Sequence, residues 1–594
     1  MPLLRYIEIE NFKTFGENVR IDLSHPAVLI GPNNAGKTSV IQALALWNHG
    51  IKVWHDKKGG SNAESRERKS AGINRLDIYE VPVPESRCFW HNAKVKRGGN
   101  KSIEMVINVG LEIDGACSDC RLVFTWRDDE VIYCCPSDET IKNEALLRAA
   151  TGLSLNLLYP MSGMELEEPI VKEGWISVKM GQGQTAQVLR NLCLKVSESS
   201  RSDWDEIADL VNRLFSVELQ SPAATARGTI SLKYRQPGLE QDLDISLAGR
   251  GQLQTLLILA YLYSHKNSVL LIDEPDAHLE ILRQKQMYQV LKDVAQKNNC
   301  QVVIVTHSEV ILNDAVEHNL TMILNGESID LADRQDIRVA LQEISVDHYY
   351  RAKVHPRLFY VEGSTDLDIL RRIAAKIKHE ASTVLDGPIN CFYTRHNEPQ
   401  DTLDHRLGVI GGLYPENVER HFSAIKKCIP ECKGLALLDR DQRNRQDVET
   451  ADFAKVYWQH YEVENTFITP RALMAYLEDR VTTEATVFGP QVLSDFKEVL
   501  NQRLLIDVFN GDVDQLQQFE QASESLQKTI LRNIKMSEFA EKAFRDLAAR
   551  SHQPMMMRKS DFFKLVDFVD DSAFGADVTK KLDLLVKYLK LAAG

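Results

Sequence analysis

Residues Gly31-Pro-Asn-Asn-Ala-Gly36-Lys37-Thr38 constrain this chain more than any other stretch. They match the pattern G-x-x-x-x-G-K-[ST] in full, with an apolar strand, Val28–Ile30, before them and the apolar helical spacing of Val40, Ile41, Leu44 and Leu46 after them. A strand, a glycine-rich turn and a helix in that order demand an α/β fold with a parallel sheet. Glycines let backbone N–H groups curl around phosphates, Lys37 meets the β/γ oxygens, and Thr38 offers a hydroxyl to Mg²⁺. Gly31, Asn33, Asn34, Gly36, Lys37, Thr38 and Ser39 are therefore the expected ATP contacts.

The other parts of a nucleotide engine follow in order. Ser268–Ile272 is a buried strand ending in Asp273–Glu274, and Val302–Val305 is another that leads to His307. Asp273 is expected to hold Mg²⁺ through water, Glu274 to orient or deprotonate the attacking water, and His307 to sense the γ-phosphate. This order resembles the ABC-type ATPases. In that family a signature loop precedes the Asp–Glu strand, and Ser246-Leu-Ala-Gly249-Arg-Gly251 looks like a divergent version without two adjacent glycines. The resemblance implies that Ser246, Gly249 and Gly251 cover the ATP of a second copy. It thus implies a dimer through the ATPase domains, with Asp276 and His278 near the interface. No long heptad arms separate the P-loop from this loop, which is closer to the compact RecF-like branch.

The second half carries a different chemistry. Leu358–Val361 is an apolar run ending in Glu362–Gly363, with Asp366 four residues on, and Gly434–Leu438 is another ending in Asp439-Arg-Asp441. Carboxylates gathered at the edge of a parallel sheet repel one another unless a divalent cation neutralises them, so they read as a Mg²⁺ or Mn²⁺ site. Glu462 and Glu464 could complete a second metal position. The order Glu-Gly, then Asp-x-Asp, resembles the Toprim domain, whose chemistry is phosphoryl transfer on nucleic acid with two metals.

An N-terminal ABC-type ATPase followed by a Toprim domain and a helical tail resembles the OLD-family nucleases, which include Gabija-type and retron-associated effectors. The resemblance covers nearly the whole chain. It implies an α/β architecture of a RecF-like P-loop ATPase domain over 1–348, a Rossmann-like Toprim domain over 349–475, and a helical region over 476–594. It further implies Glu362, Asp439 and Asp441 as catalytic metal-holding residues, and Lys559 as the family's late catalytic lysine. The activity so implied is an ATP-regulated, Mg²⁺- or Mn²⁺-dependent DNA endonuclease in anti-phage defence. It would work as a dimer or tetramer, with a partner protein or nucleic acid as trigger. The alternative is an ATPase clamp or regulator that binds DNA without cutting it.

Composition narrows the rest. The 594 residues are 44% hydrophobic and 26% charged, ordinary for soluble domains and too many for one core. No apolar run is long enough for a bilayer, and the N-terminus lacks a signal-peptide pattern, so a cytoplasmic location is expected. The net charge of −13 argues against indiscriminate coating of nucleic acid. Cys117-x-x-Cys120 with Cys134–Cys135 reads as a zinc knuckle or as a hairpin of reduced thiols, and the adjacency of the second pair favours thiols. Strands are expected at 103–113, 121–126 and 131–135. Helices are expected at about 140–220, and a polar mobile insertion over about 48–80, within a less defined stretch reaching 100.

Overall fold

The structure is a computed structural model. It describes residues 3–590 except positions 24, 60–68, 99–100, 309, 312–318, 332–336, 338–339, 342–343, 395–416, 441–444, 484–490 and 553. The chain divides into two compact units, Met1–Arg338 and Val339–Gly594. Among the described residues no helix is long and apolar enough to cross a membrane.

The first unit holds two six-stranded sheets. One is antiparallel, in the order Val19–Asp22, Leu3–Glu10, Met105–Ile113, Ala116–Trp126, Val131–Pro136, Ala71–Asn74. The other is parallel apart from its last strand, in the order Leu155–Leu158, Val269–Asp273, Gln301–Val305, Ala27–Ile30, Asn319–Leu324, Glu327–Asp330. The strand leading to His307 therefore lies between the P-loop strand and the Asp273 strand. Between the sheets' inner faces runs the helix Lys37–Lys58. Its buried Val40, Ile41, Leu44, Trp47, Ile51 and Trp54 recur at three- and four-residue spacing and share one core with both sheets.

Two expectations are corrected. The polar stretch from 48 is not an insertion at its start, because the helix continues to Lys58; Trp47, Ile51 and Trp54 carry the apolar stripe while His55, Asp56 and Lys57 are exposed. Ala71–Asn74 then returns as an edge strand, and 60–68 lie outside the described residues. The helical region of 140–220 contains the core strand Leu155–Leu158. The cysteines do not converge: Cys120 and Cys134 are buried between strands while Cys117 is exposed, as alternation along a strand dictates. Burial pushes the Cys120 and Cys134 thiols up to about 12, which suits inert thiols.

The second unit has a five-stranded sheet in the order Asn390–Tyr393, Arg357–Val361, Lys433–Leu438, Phe453–Tyr457, Val448–Glu449, parallel except for the last strand. Helices Ser364–Lys376, Pro470–Thr483, Gln491–Arg503, Met536–Ser551 and Ala576–Leu589 pack around it in one continuous core. Phe359, Leu435, Leu473, Phe496, Phe544 and Leu585 all belong to it. A ten-residue 3₁₀ run, Lys559–Phe568, begins at Lys559. It is strapped to the Ser364–Lys376 helix: Lys376 donates to the Val566 and Asp567 carbonyls at 2.9 and 3.0 Å, and Arg372 pairs with Asp567.

Candidate functional sites

The P-loop geometry begins with two glycines. Gly31 and Gly36 have φ of +155° and +109°, and a Cβ on Gly36 would meet Thr14 Oγ1 at 2.5 Å, so only glycine leaves the loop this shape. The N-terminus of the 22-residue helix Lys37–Lys58 then points its unpaired N–H groups at the loop. Lys37 folds back, donating to the Gly31 and Pro32 carbonyls at 2.9 Å each. Burial pushes its ammonium down to about 8.

Thr38 Oγ1 donates to Asp273 Oδ2 at 3.0 Å, which joins the two expected Mg²⁺ contacts. The other oxygen, Oδ1, is buried and accepts no hydrogen bond. Burial pushes Asp273 up to about 6, with the Thr38 hydroxyl opposing. An orphaned carboxylate oxygen beside a threonine hydroxyl fits a hydrated Mg²⁺. Glu274 stands at φ +50°, fixed by its N–H to Val305 O at 2.8 Å. Its carboxylate lies 3.3 Å from His307 Nε2, and that hydrogen bond holds it below the usual range. His307 Nδ1 is 3.4 Å from Lys37 Nζ. Lys37, Thr38, Asp273, Glu274 and His307 thus form one connected group, while Asn33 and Asn34 remain exposed at the loop's crest and Ser39 is buried below it.

The Ser246–Gly251 loop, on the same unit, is exposed at Leu247, Gly249 and Arg250. Gly249 caps the helix Arg250–Ser264, and Gly251 allows the His278–Leu279 segment close, since a Cβ there would sit 2.9 Å from His278 O. Asp276 accepts the Thr306 hydroxyl beside His307. The sequence reading had no signal for Gln42 and Tyr159. Gln42 Nε2 donates to Tyr159 Oη at 2.8 Å, one helical turn past Thr38.

In the second unit the strands Arg357–Val361 and Lys433–Leu438 are parallel neighbours, so the acids that follow them are brought together. The Asp439 N–H donates to Glu362 Oε1 at 3.1 Å. Asp366 caps the next helix, its Oδ2 accepting the N–H groups of Glu362 and Gly363 at 3.1 and 3.0 Å. Glu462 and Glu464 follow the neighbouring strand and are 2% and 3% exposed. Glu462 accepts the Ser537 N–H at 2.6 Å and the Ser537 hydroxyl at 2.9 Å. Ser537 lies 75 residues away in sequence and no pattern announced it.

These acids act on one another. Burial raises Asp439 well above the carboxylate range, and the charges of Glu362, Asp366, Glu464 and Glu462 add to it. Burial likewise raises Glu464, with Glu462 and Asp366 adding and Lys559 opposing. Lys559 is exposed, and its ammonium also lowers Asp366 and Glu462. Asp441 lies outside the described residues. Among the described residues no three His, Cys, Asp or Glu side chains already stand as a metal-holding group. The donor set is nonetheless all carboxylate, half-buried at Glu362, Asp366 and Asp439 and buried at Glu462 and Glu464, with charges that raise one another, which is the chemistry that Mg²⁺ or Mn²⁺ satisfies.

Two family models match. The one described as "AAA ATPase domain" spans residues 3–109, and the one described as "AAA domain, putative AbiEii toxin, Type IV TA system" spans 192–313. No curated protein matches the chain. Among solved structures, an Smc head domain of Pyrococcus furiosus bound to the C-terminal domain of ScpA is 12% identical. It covers 58% of this chain and 100% of its own, with a TM-score of 0.35. The SMC head domain from Thermotoga maritima is 14% identical over 55% of this chain and 97% of its own, with a TM-score of 0.30. Residues 3–109 and 192–313 of the first unit thus match AAA-type ATPase domains, on an α/β P-loop fold.

Proposed function

We propose that the chain is an ATP-regulated, divalent-metal-dependent DNA endonuclease of the OLD type, with a Toprim-like second unit, acting in anti-phage defence. The observation that carries the reading is the mutual repulsion of Glu362, Asp366, Asp439, Glu462 and Glu464 at one sheet edge, with Lys559 as the cation that opposes it. A surface for binding phosphates gains nothing from buried carboxylates unless cations join them. Glu362, Asp439 and Asp441 would hold the ions, with Asp366, Glu462 and Glu464 completing the set. A metal bound there would supply an activated water and charge neutralisation at the scissile phosphate.

The protein's own groups do the rest. Ser537 fixes the orientation of Glu462, and the strap between Lys559–Phe568 and the Asp366 helix holds Lys559 at a set distance from the acids. From there its ammonium can meet the charge that grows on the phosphate oxygens. In the first unit, Lys37 and the P-loop amides bind ATP, Thr38 and Asp273 hold its Mg²⁺, and Glu274 orients water for hydrolysis. Nucleotide-dependent pairing of two ATPase domains, through Ser246, Gly249 and Gly251, would gate access to DNA. The toxin wording of the model matching residues 192–313 is in keeping with a defence role.

A plasmid-nicking assay with Mg²⁺, Mn²⁺ or EDTA, with and without ATP, tests this reading. Asp439→Ala should abolish cutting and spare ATP binding; a variant that cuts normally sinks the proposal. The second reading is an ATPase clamp that binds DNA without cutting. It is favoured by the lack of a ready three-acid group among the described residues. DNA binding without cleavage under every metal condition would select it.

A further inference from the structure

The Ser246–Gly251 loop, exposed at Leu247, Gly249 and Arg250, is anchored by a buried arginine. Arg190, on the helix Leu189–Ser199, is 2% exposed. Its guanidinium grips Asp244 with both terminal nitrogens, Nη1 to Oδ2 at 3.0 Å and Nη2 to Oδ1 at 2.9 Å. The same Asp244 Oδ1 accepts the Ser246 N–H at 2.9 Å and so caps the short turn Ile245–Leu247 that opens the loop. Arg190 also donates to the Ile230 carbonyl at 3.3 Å and the Leu166 carbonyl at 3.0 Å. Its own backbone N–H and that of Asn191 go to the buried Glu168 carboxylate at 2.9 and 2.7 Å. Four segments distant in sequence, around 166–168, 190–191, 230 and 244–246, meet at one side chain.

A buried guanidinium is expensive, and its removal leaves the Leu166 and Ile230 carbonyls and the half-buried Asp244 carboxylate without their partner. A fold that needed only stability could fill this space with an apolar side chain. The bidentate grip instead fixes direction as well as distance, because a planar fork tolerates little rotation. The direction it fixes is that of Asp244, and through it the first residue of the loop.

We propose that Arg190 is a positioning residue for the Ser246–Gly251 loop, holding Asp244 so that the loop meets the nucleotide of a second copy in one conformation. The proposal rests on reading that loop as the one that covers a partner's ATP. Arg190 touches no nucleotide itself, so its loss should leave binding to the P-loop of one chain intact and impair only the step that needs two chains.

The test uses the full chain. Arg190→Met should bind the fluorescent analogue MANT-ATP within about twofold of the parent, while the ATPase kcat falls about 100-fold, the scale of a displaced positioning group. In a Glu274→Gln background, which retains ATP, ATP-dependent dimerisation seen by analytical ultracentrifugation should weaken in parallel. Arg190→Lys, with one ammonium in place of the fork, should recover part of both. If Arg190→Met does not fold, Asp244→Asn decides by the same criteria, since it keeps an acceptor for the Ser246 N–H but breaks the charged grip. A folded Arg190→Met that dimerises and turns over like the parent overturns the proposal. Ser246→Arg separates the two ideas. If it leaves ATP-dependent dimerisation intact, the signature-loop reading fails and the proposal with it. If it blocks dimerisation while Arg190→Met does not, only the positioning role fails.

Discussion

Raising the pH should weaken ATP binding through a single side chain, Lys37. The residue is 4% exposed and its ammonium faces two carbonyl oxygens at 2.9 Å. Burial is the largest influence and brings it from 10.5 to about 8, with the charges of Glu274 and Asp273 pulling the other way. Phosphate oxygens against Nζ favour the charged form, so the bound-state value lies above the free one. The affinity contributed by the charge is then complete below about 8 and is lost as pH rises from there toward the bound-state value. Over that window the Kd for Mg-ATP should rise about tenfold per pH unit, or about 100-fold between pH 8 and pH 10. Asp273, pushed up to about 6, is ionised throughout this range and does not contribute to the slope. Calorimetric titration from about pH 7.5 to 10 at fixed ionic strength measures it. Lys37→Arg keeps its charge and should give a flat profile. A parent Kd that moves less than about threefold, or an equal slope in the arginine variant, refutes the reasoning.

The other expectations concern both units. Mn²⁺ at 100 times its Kd should stabilise the parent by about 2.7 kcal/mol, and Asp439→Asn should bind ATP like the parent but lose that rise; thermal unfolding with Mn²⁺ and with EDTA reads this. Gly36→Ala, placing a Cβ 2.5 Å from Thr14 Oγ1 at φ +109°, should cost about 1–3 kcal/mol of stability and remove ATP binding, as chemical denaturation and calorimetry would show. Ser537→Ala removes the 2.9 Å hydroxyl bond to Glu462 and should weaken Mn²⁺ binding about tenfold, measured by metal titration, with ATP binding unchanged.

What could be read from the sequence was chemistry written in short local patterns. The P-loop octet, the Asp273–Glu274 strand end and His307 each announce themselves within eight residues, and the structure joins them through contacts of 2.8 to 3.4 Å. The Glu362 and Asp439 strand ends were legible for the same reason, because parallel neighbours bring their C-terminal ends together. Leu155–Leu158 was missed since four apolar residues between helices carry no periodicity that tells strand from helix. The helix through Lys58 was misread because the polar Lys52, His55, Asp56, Lys57 and Lys58 outnumber the three residues, Trp47, Ile51 and Trp54, that bury its stripe. Arg190 with Asp244, and Ser537 with Glu462, were invisible. Each pair is joined only by tertiary folding across 54 and 75 residues.

The continuous core of the second unit bears on how the chain is made. The helix Ala576–Leu589 buries Val578, Leu582, Leu585 and Leu589 in the same core as the strands that carry Glu362 and Asp439. Tyr588 reaches back to the Thr450 carbonyl. During synthesis the sheet is therefore left with an uncovered apolar face until residue 589 clears the ribosome, some two hundred residues after its first strand. The ATPase unit can fold long before that. A ribosome stalled late in the message would thus display a finished ATPase unit joined to an acid cluster that has not yet formed.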